Sequence, residues 1–212
     1  MKPKKEKISP EELRDLYSAK QDAIRKRLEE FTRVPQDEYF YELVYCLLTP
    51  QSSAVNAGKA VALLKERNFS ETEIDPEPLL HQKNFYIRFH KTKAKHLTAM
   101  KLQFPDINRH LANGSPNKEL REWLINNVKG LGRKEASHFL RNIGHRDLAI
   151  LDRHILKNLV RVGAISRLPK TLTTKRYSAI EERFLKFSRD IKIPIDELDL
   201  LFWSMETGEI LK

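Results

Sequence analysis

Lys134 and Asp152 are the two residues of this sequence best placed to do chemistry together. Lys134 follows Val128-Lys129-Gly130-Leu131-Gly132-Arg133, and Asp152 ends the apolar approach Ala149-Ile150-Leu151 ahead of Arg153-His154-Ile155-Leu156-Lys157. A neutral amine is a nucleophile, and a carboxylate can support a cationic intermediate or move protons. Three influences favour the neutral amine at Lys134. It falls in the first turn of a predicted helix, where the macrodipole disfavours a cation. Lys129 and Arg133 are its neighbours, and like charges lower a lysine pKa from its usual ~10.4. Ala136, Phe139, Leu140 and Ile143 cluster on the buried side of that helix, and Lys134 lies roughly 160–200° away from Ala136 at ~100° per residue. It is expected to face outward.

The element that must position this lysine is a helical hairpin over 120–144. One amphipathic helix runs to Asn127 with Leu120, Trp123, Leu124 and Val128 on one face, and a second follows Gly132. Glycines at i and i+2 permit backbone angles closed to other residues and let the chain approach a partner closely. Peptide N–H groups at the start of the second helix then form a phosphate cradle that needs no base contact, with Lys129 and Arg133 adding charge. The alternative is a plain αα-hairpin eased by glycine. Asp152 stands at a helix N-cap, and capping alone would explain it. Geometry keeps a chemical role open. The helix from Arg133 to Ile143 spans about 16 Å. Gly144 can end it, and the residues from His145 to Asp152 reach about 26 Å when extended. The chain can therefore double back towards Lys134.

The remaining elements are helical as well. Ser9-Pro10-Glu11-Glu12 combines a capping box with proline at the first helical position, predicting a helix to about Phe31. Phe40, Leu43, Val44 and Leu47 define another that stops at Thr49-Pro50. Further helices are expected over Ser53–Arg67, after a second capping box at Ser70-Glu71-Thr72-Glu73, over Lys91–Leu102, and from Tyr177 to Pro194. The last carries Leu198, Leu201, Phe202 and Met205 and stops at Gly208. No stretch reads as a strand and none repeats. Residues 1–8 look disordered. The expected fold class is all-α.

Composition narrows the partners. Over 212 residues, Lys plus Arg number 39 against 29 Asp plus Glu, a net charge of +10. Such a surface favours polyanions, nucleic acid before an anionic membrane. No apolar run approaches the ~20 residues of a membrane span. The basic start lacks the apolar stretch of a signal peptide, which points to the cytoplasm and nucleoid. Cys46 is the sole cysteine and lies in an apolar stripe, which excludes a disulfide framework, a zinc knuckle and a cysteine-held iron–sulfur cluster. His138 and His154 have no partner at metal-ligand spacing, so no metal is expected, and His154 is expected to meet a phosphate.

VKGLGRKEA with the Asp of LDRHILK resembles the helix-hairpin-helix, Gly/Pro-rich loop, Asp superfamily of DNA glycosylases. More narrowly, GLGRKEASHFLRNIG, AILDRHILK and the closing FWSMETGEILK resemble the archaeal-type 8-oxoguanine DNA glycosylase/AP lyase family (Ogg type 2), over nearly the whole chain beyond Ser9. The resemblance implies one glycosylase domain of two helical lobes flanking a central cleft. Residues of about 1–34 and 147–212 would form one lobe, and about 35–146 the other. It implies a monomer that needs no cofactor and acts on double-stranded DNA containing a damaged base. Lys134 would attack the sugar C1′ of an extruded nucleotide to form a Schiff base that undergoes β-elimination. Asp152 would support the oxocarbenium-like sugar. The loop Leu48-Thr49-Pro50-Gln51-Ser52 would push Gln51 into the gap left by the base. The four-cysteine cluster of endonuclease III relatives has no counterpart here.

Backbone contacts are assigned to Lys129, Gly130, Gly132, Arg133 and His154. Base recognition is assigned to Trp203, Phe89 and the carboxylate of Lys212. Trp203 faces away from the apolar stripe of its helix and is read either as a wall for an extruded purine or as core. Two rivals share these features: a non-catalytic helix-hairpin-helix module, which needs no neutral lysine, and a glycosylase for another damaged base.

Overall fold

The computed structural model describes residues 7–210. Among them the fold is helical and divides into two compact units, one formed by the residues through Arg33 with those from Gly144 on, the other by Val34–Ile143.

The Val34–Ile143 unit holds α3 (Tyr39–Leu48), α4 (Ala54–Glu66), α5 (His90–Leu111), α6 (Asn117–Asn127) and α7 (Arg133–Asn142). Buried Leu43, Val44, Cys46 and Leu47 of α3 pack where α4, α5 and α7 converge. Ser53 caps α4 by accepting from the Asn56 N–H, as its place before the helix predicts. The helix expected over Lys91–Leu102 runs on through Pro105 to Leu111. Burial of Ile107 and the edge contact of Phe104 with Phe40 hold the turns beyond the proline, against a cost of about 3 kcal/mol for proline inside a helix. No α-helix starts at Ser70; a short 3-10 turn over Glu77–Leu80 is all that forms before His81. Thr72 bonds back to the carbonyls of Arg67 and Asn68, and Pro76 and Pro78 leave too little chain for an α-helix. A two-residue antiparallel ribbon also appears where no strand was expected, β1 (His81–Gln82) against β2 (Phe85–Tyr86).

The other unit holds α1 (Pro10–Ser18), α2 (Gln21–Thr32), α8 (Arg153–Arg161), α9 (Thr174–Ile191) and α10 (Ile195–Thr207). The capping box at Ser9 forms in full. The single helix expected from there to Phe31 is broken at Ala19 and Lys20. The apolar stripe Leu13, Tyr17, Ile24, Leu28, Phe31 is in phase throughout, so periodicity carries no sign of the break. Contacts with α10 account for it, since Tyr17 Oη donates to Glu197 and Lys20 Nζ to Ser204 Oγ. Ile8 is tied down, its N–H bound to the Arg161 carbonyl, so the expected disorder does not extend to it. Buried Leu198, Leu201 and Phe202 make α10 the centre of this unit. No helix among the described residues is long and apolar enough to cross a membrane.

Candidate active site

The hairpin forms from α6 and α7 as the glycine spacing requires. Gly130 has φ +89, and a Cβ there would meet the His96 ring at 2.2 Å, so both backbone angle and space demand glycine. Gly132 caps α7 with no side-chain hydrogen bond to the first N–H groups, and the Glu135 carboxylate of the first turn lies close over it, Oε2 2.8 Å from where a Cβ would stand. Lys129 is exposed beside it. Burial, with Lys129 second, pushes the His96 pKa down.

Arg133 differs from expectation. Its side chain is 14% exposed and grips the Glu122 carboxylate of α6 with both Nη atoms, a hairpin brace rather than a hand extended to solvent. A planar guanidinium opposite a carboxylate takes this two-pronged geometry readily. Lys134 is not fully outward either. Its side chain is 28% exposed, with Nζ 3.1 Å from Glu135 Oε1. The cationic neighbourhood foreseen from Lys129 and Arg133 is thus partly balanced by Glu122 and Glu135.

A second lysine stands near this point. Lys93 on α5 is only 6% exposed, and its Nζ donates to the carbonyls of Leu48 (2.6 Å) and Pro50 (2.7 Å) and to Ser52 Oγ (3.3 Å). Burial pushes its pKa down to about 8; Glu135 opposes that shift and Lys134 adds to it. The loop it holds carries Gln51, exposed and at φ +56. Phe89 stands at the start of α5, 51% exposed at φ +59, with the Arg88 guanidinium 5.1 Å from its ring. Left-handed angles cost a non-glycine residue of order 1–3 kcal/mol and gather at functional sites.

Asp152 belongs to the other unit. The chain before it is held by buried side chains: Glu181 accepts from the Ala149 N–H, and Tyr177 Oη bridges the Ala149 carbonyl and the Leu151 N–H, before a tight turn in which the Asp152 N–H bonds the Ile150 carbonyl. Asp152 then caps α8, its Oδ1 accepting from the N–H groups of His154 (2.7 Å) and Ile155 (2.8 Å). Its second oxygen accepts from Trp203 Nε1 at 3.1 Å. Trp203 is therefore neither free wall nor plain core. Its ring is half-buried, tilted against His154 with centroids 5.2 Å apart, and its polar edge orients the carboxylate. Asn158 helps to keep α8 and α10 in register by donating to the Phe202 carbonyl.

His154 departs from its expected meeting with a phosphate. Its side chain is 17% exposed and turned inward, Nδ1 lying 3.7 Å from the Glu206 carboxylate and Nε2 accepting from Arg153 Nε. Leu211 and Lys212 lie outside the described residues. Gly208 does end α10, at φ +85, and Ile210 packs on the core. Sequence reasoning missed Lys93, Glu135, Ser52 and Glu206. Only Lys93 carried a signal, standing one and two turns before Leu97 and Met100 on the buried face of α5.

A model of the Ogg-HhH family, 8-oxoguanine DNA glycosylase, matches residues 24–193. An 8-oxoguanine DNA glycosylase/AP lyase of Fusobacterium nucleatum is 40% identical over 95% of this chain and 96% of its own length. One of Methanocaldococcus jannaschii is 35% identical over 90% and 92%. Among solved structures, the Methanocaldococcus jannaschii 8-oxoguanine glycosylase/lyase in complex with DNA containing 8-oxoguanine superposes with a TM-score of 0.82 at 33% identity, covering 94% of this chain and 99% of that one. The 8-oxoguanine DNA glycosylase of Thermotoga maritima does so at 0.80 and 29%, covering 96% and 98%.

Proposed function

The chain belongs to the Ogg-HhH family of 8-oxoguanine DNA glycosylases, and on that premise we propose that it excises 8-oxoguanine from duplex DNA and then cleaves the strand, with Lys134 as nucleophile. The observation that carries this reading is the likeness to enzymes named 8-oxoguanine DNA glycosylase/AP lyase along nearly the whole chain. The local geometry supports it, with an accessible lysine one residue into an uncapped helix behind a glycine turn.

Nζ of Lys134 attacks C1′ as the bond from C1′ to the base breaks, and the base leaves taking a proton. Loss of the second Nζ proton and ring opening give an imine between Lys134 and C1′. Removal of a C2′ proton then expels the 3′ phosphate from C3′. Asp152, held by three N–H donors, stabilises the positive charge that develops on the sugar. Backbone phosphates bind at Gly130, Gly132 and Lys129. Gln51 fills the space of the extruded base, while Phe89 and the Trp203 ring contact the base itself. Oxidation at C8 converts guanine N7 from acceptor to donor, so a hydrogen-bond acceptor there welcomes the lesion and opposes guanine.

Borohydride reduction tests the reading, because it converts the imine to a stable amine. Wild type should become covalently attached to an 8-oxoguanine duplex and not to an undamaged one. Lys134→Gln should bind the lesion duplex without forming the adduct. If that variant traps as well as wild type, another amine is the nucleophile.

A further inference from the structure

The mechanism above leaves Lys93 without a task, yet its side chain is placed with unusual care. An ammonium taken from water is costly unless its donors are matched, and an apolar side chain would fill the same space more cheaply. Here the three acceptors all come from one short segment, the Leu48 and Pro50 carbonyls and Ser52 Oγ. They flank Gln51, whose φ of +56 is sustained only where the surroundings over-determine it. Ser52 Oγ also accepts from the Arg88 N–H at 3.0 Å, and Arg88 directly precedes Phe89, itself at φ +59. The buried ammonium therefore bonds the carbonyl of the residue before Gln51 and, through Ser52, reaches the residue before Phe89.

We propose that Lys93 is a positioning residue, an ammonium hub that holds Gln51 and Phe89 in the shapes in which they enter DNA. The inference rests on the glycosylase reading, since it needs a base to be extruded. Its consequence is specific to one step. The hub acts before chemistry, when the loop must push into the duplex without yielding; a loop that relaxes to ordinary backbone angles turns Gln51 aside. Electrostatics support the placement, because Lys93 lies within reach of Glu135 and Lys134, so the hub adjoins the nucleophile's own helix.

Stopped-flow fluorescence of 2-aminopurine next to 8-oxoguanine reads extrusion directly, as the stack opens. Lys93→Met should slow that phase about ten-fold, a size usual for coupled neighbours. Strand cleavage at a ready-made abasic site, which has no base to extrude, should fall less. Lys93→Arg, which keeps charge and donors, should recover part of the loss. Gln51→Ala should slow extrusion as well, and Lys93→Met/Gln51→Ala should be no slower than the worse single variant. Should Lys93→Met fail to fold, Ser52→Ala removes one hub acceptor and should slow the same phase about two- to five-fold. Wild-type extrusion rates in Lys93→Met or Ser52→Ala, or fully additive losses with Gln51→Ala, overturn the inference. Borohydride trapping by wild type separates the two levels: normal trapping with unaffected extrusion in Lys93→Met removes the hub alone, and no trapping by wild type removes both.

Discussion

Asp152→Asn isolates what the carboxylate does beyond capping, and the structure gives its size. Asparagine caps a helix about as well as aspartate, so a carbonyl oxygen in the place of Oδ1 can still accept from the His154 and Ile155 N–H groups. The amide NH2 then faces Trp203 Nε1, which now donates to Oδ2 at 3.1 Å, and donor meets donor. A hydrogen bond to a charged acceptor is worth roughly 1.5–3 kcal/mol, and partial exposure of both groups favours the lower end. Rotating the amide restores an acceptor to Trp203 but turns NH2 towards two helix N–H groups, forfeiting a cap of about 1 kcal/mol. Either arrangement should destabilise the protein by about 1–2 kcal/mol. With a urea slope of about 2 kcal/mol/M, the midpoint falls by about 0.5–1 M. Trp203→Phe made in the Asn background should cost less than the same change made in wild type, because the bond is already gone. Single-turnover base release should meanwhile fall by orders of magnitude. An unchanged urea midpoint would refute the Trp203–Asp152 argument; a destabilised variant with full activity would confine Asp152 to structure.

Two further outcomes follow from charge. Lys129→Ala should weaken binding to lesion and undamaged duplexes alike and reduce the slope of log K against log salt by about one unit; a loss confined to lesion DNA would make Lys129 a base reader. Lys93 is held at about 8 when folded against an ordinary 10.5, so between those values the unfolded chain binds more protons and stability rises with pH. Facing its ammonium are the Leu48 and Pro50 carbonyls, Ser52, Glu135 and Lys134. Wild type should therefore gain on Lys93→Met from pH 8 to 9.5, by at most about 1.4 kcal/mol per pH unit. Tyr17 and Tyr45, both raised to about 12 chiefly by burial, work in the opposite sense only at higher pH. A pH-independent difference between the two proteins would show that Lys93 titrates as an ordinary lysine.

The parts legible in the sequence are those written in local chemistry. Gly130 must be glycine for its φ, and Ser9, Ser53 and Asp152 are caps because a short oxygen-bearing side chain before an apolar stripe has one good use. Bonds between distant residues were not legible. Nothing near Trp203 announces that its N–H will find Asp152, 51 residues earlier, and nothing near Arg133 shows that Glu122 will claim it. A charged side chain in an exposed-looking run is read as solvated, and for Arg133 and His154 that default failed, because carboxylates on a neighbouring helix drew them inward. Lys93 exposes the same default. Its phase with Leu97 and Met100 marked it as inward, and an inward lysine needs acceptors that helices, having spent their carbonyls internally, rarely provide. A loop whose backbone is bent away from regular structure is where such carbonyls remain. A lysine in phase with a helix's core face, packed against a short turn, therefore points to the turn as the thing being held, and here that turn carries Gln51.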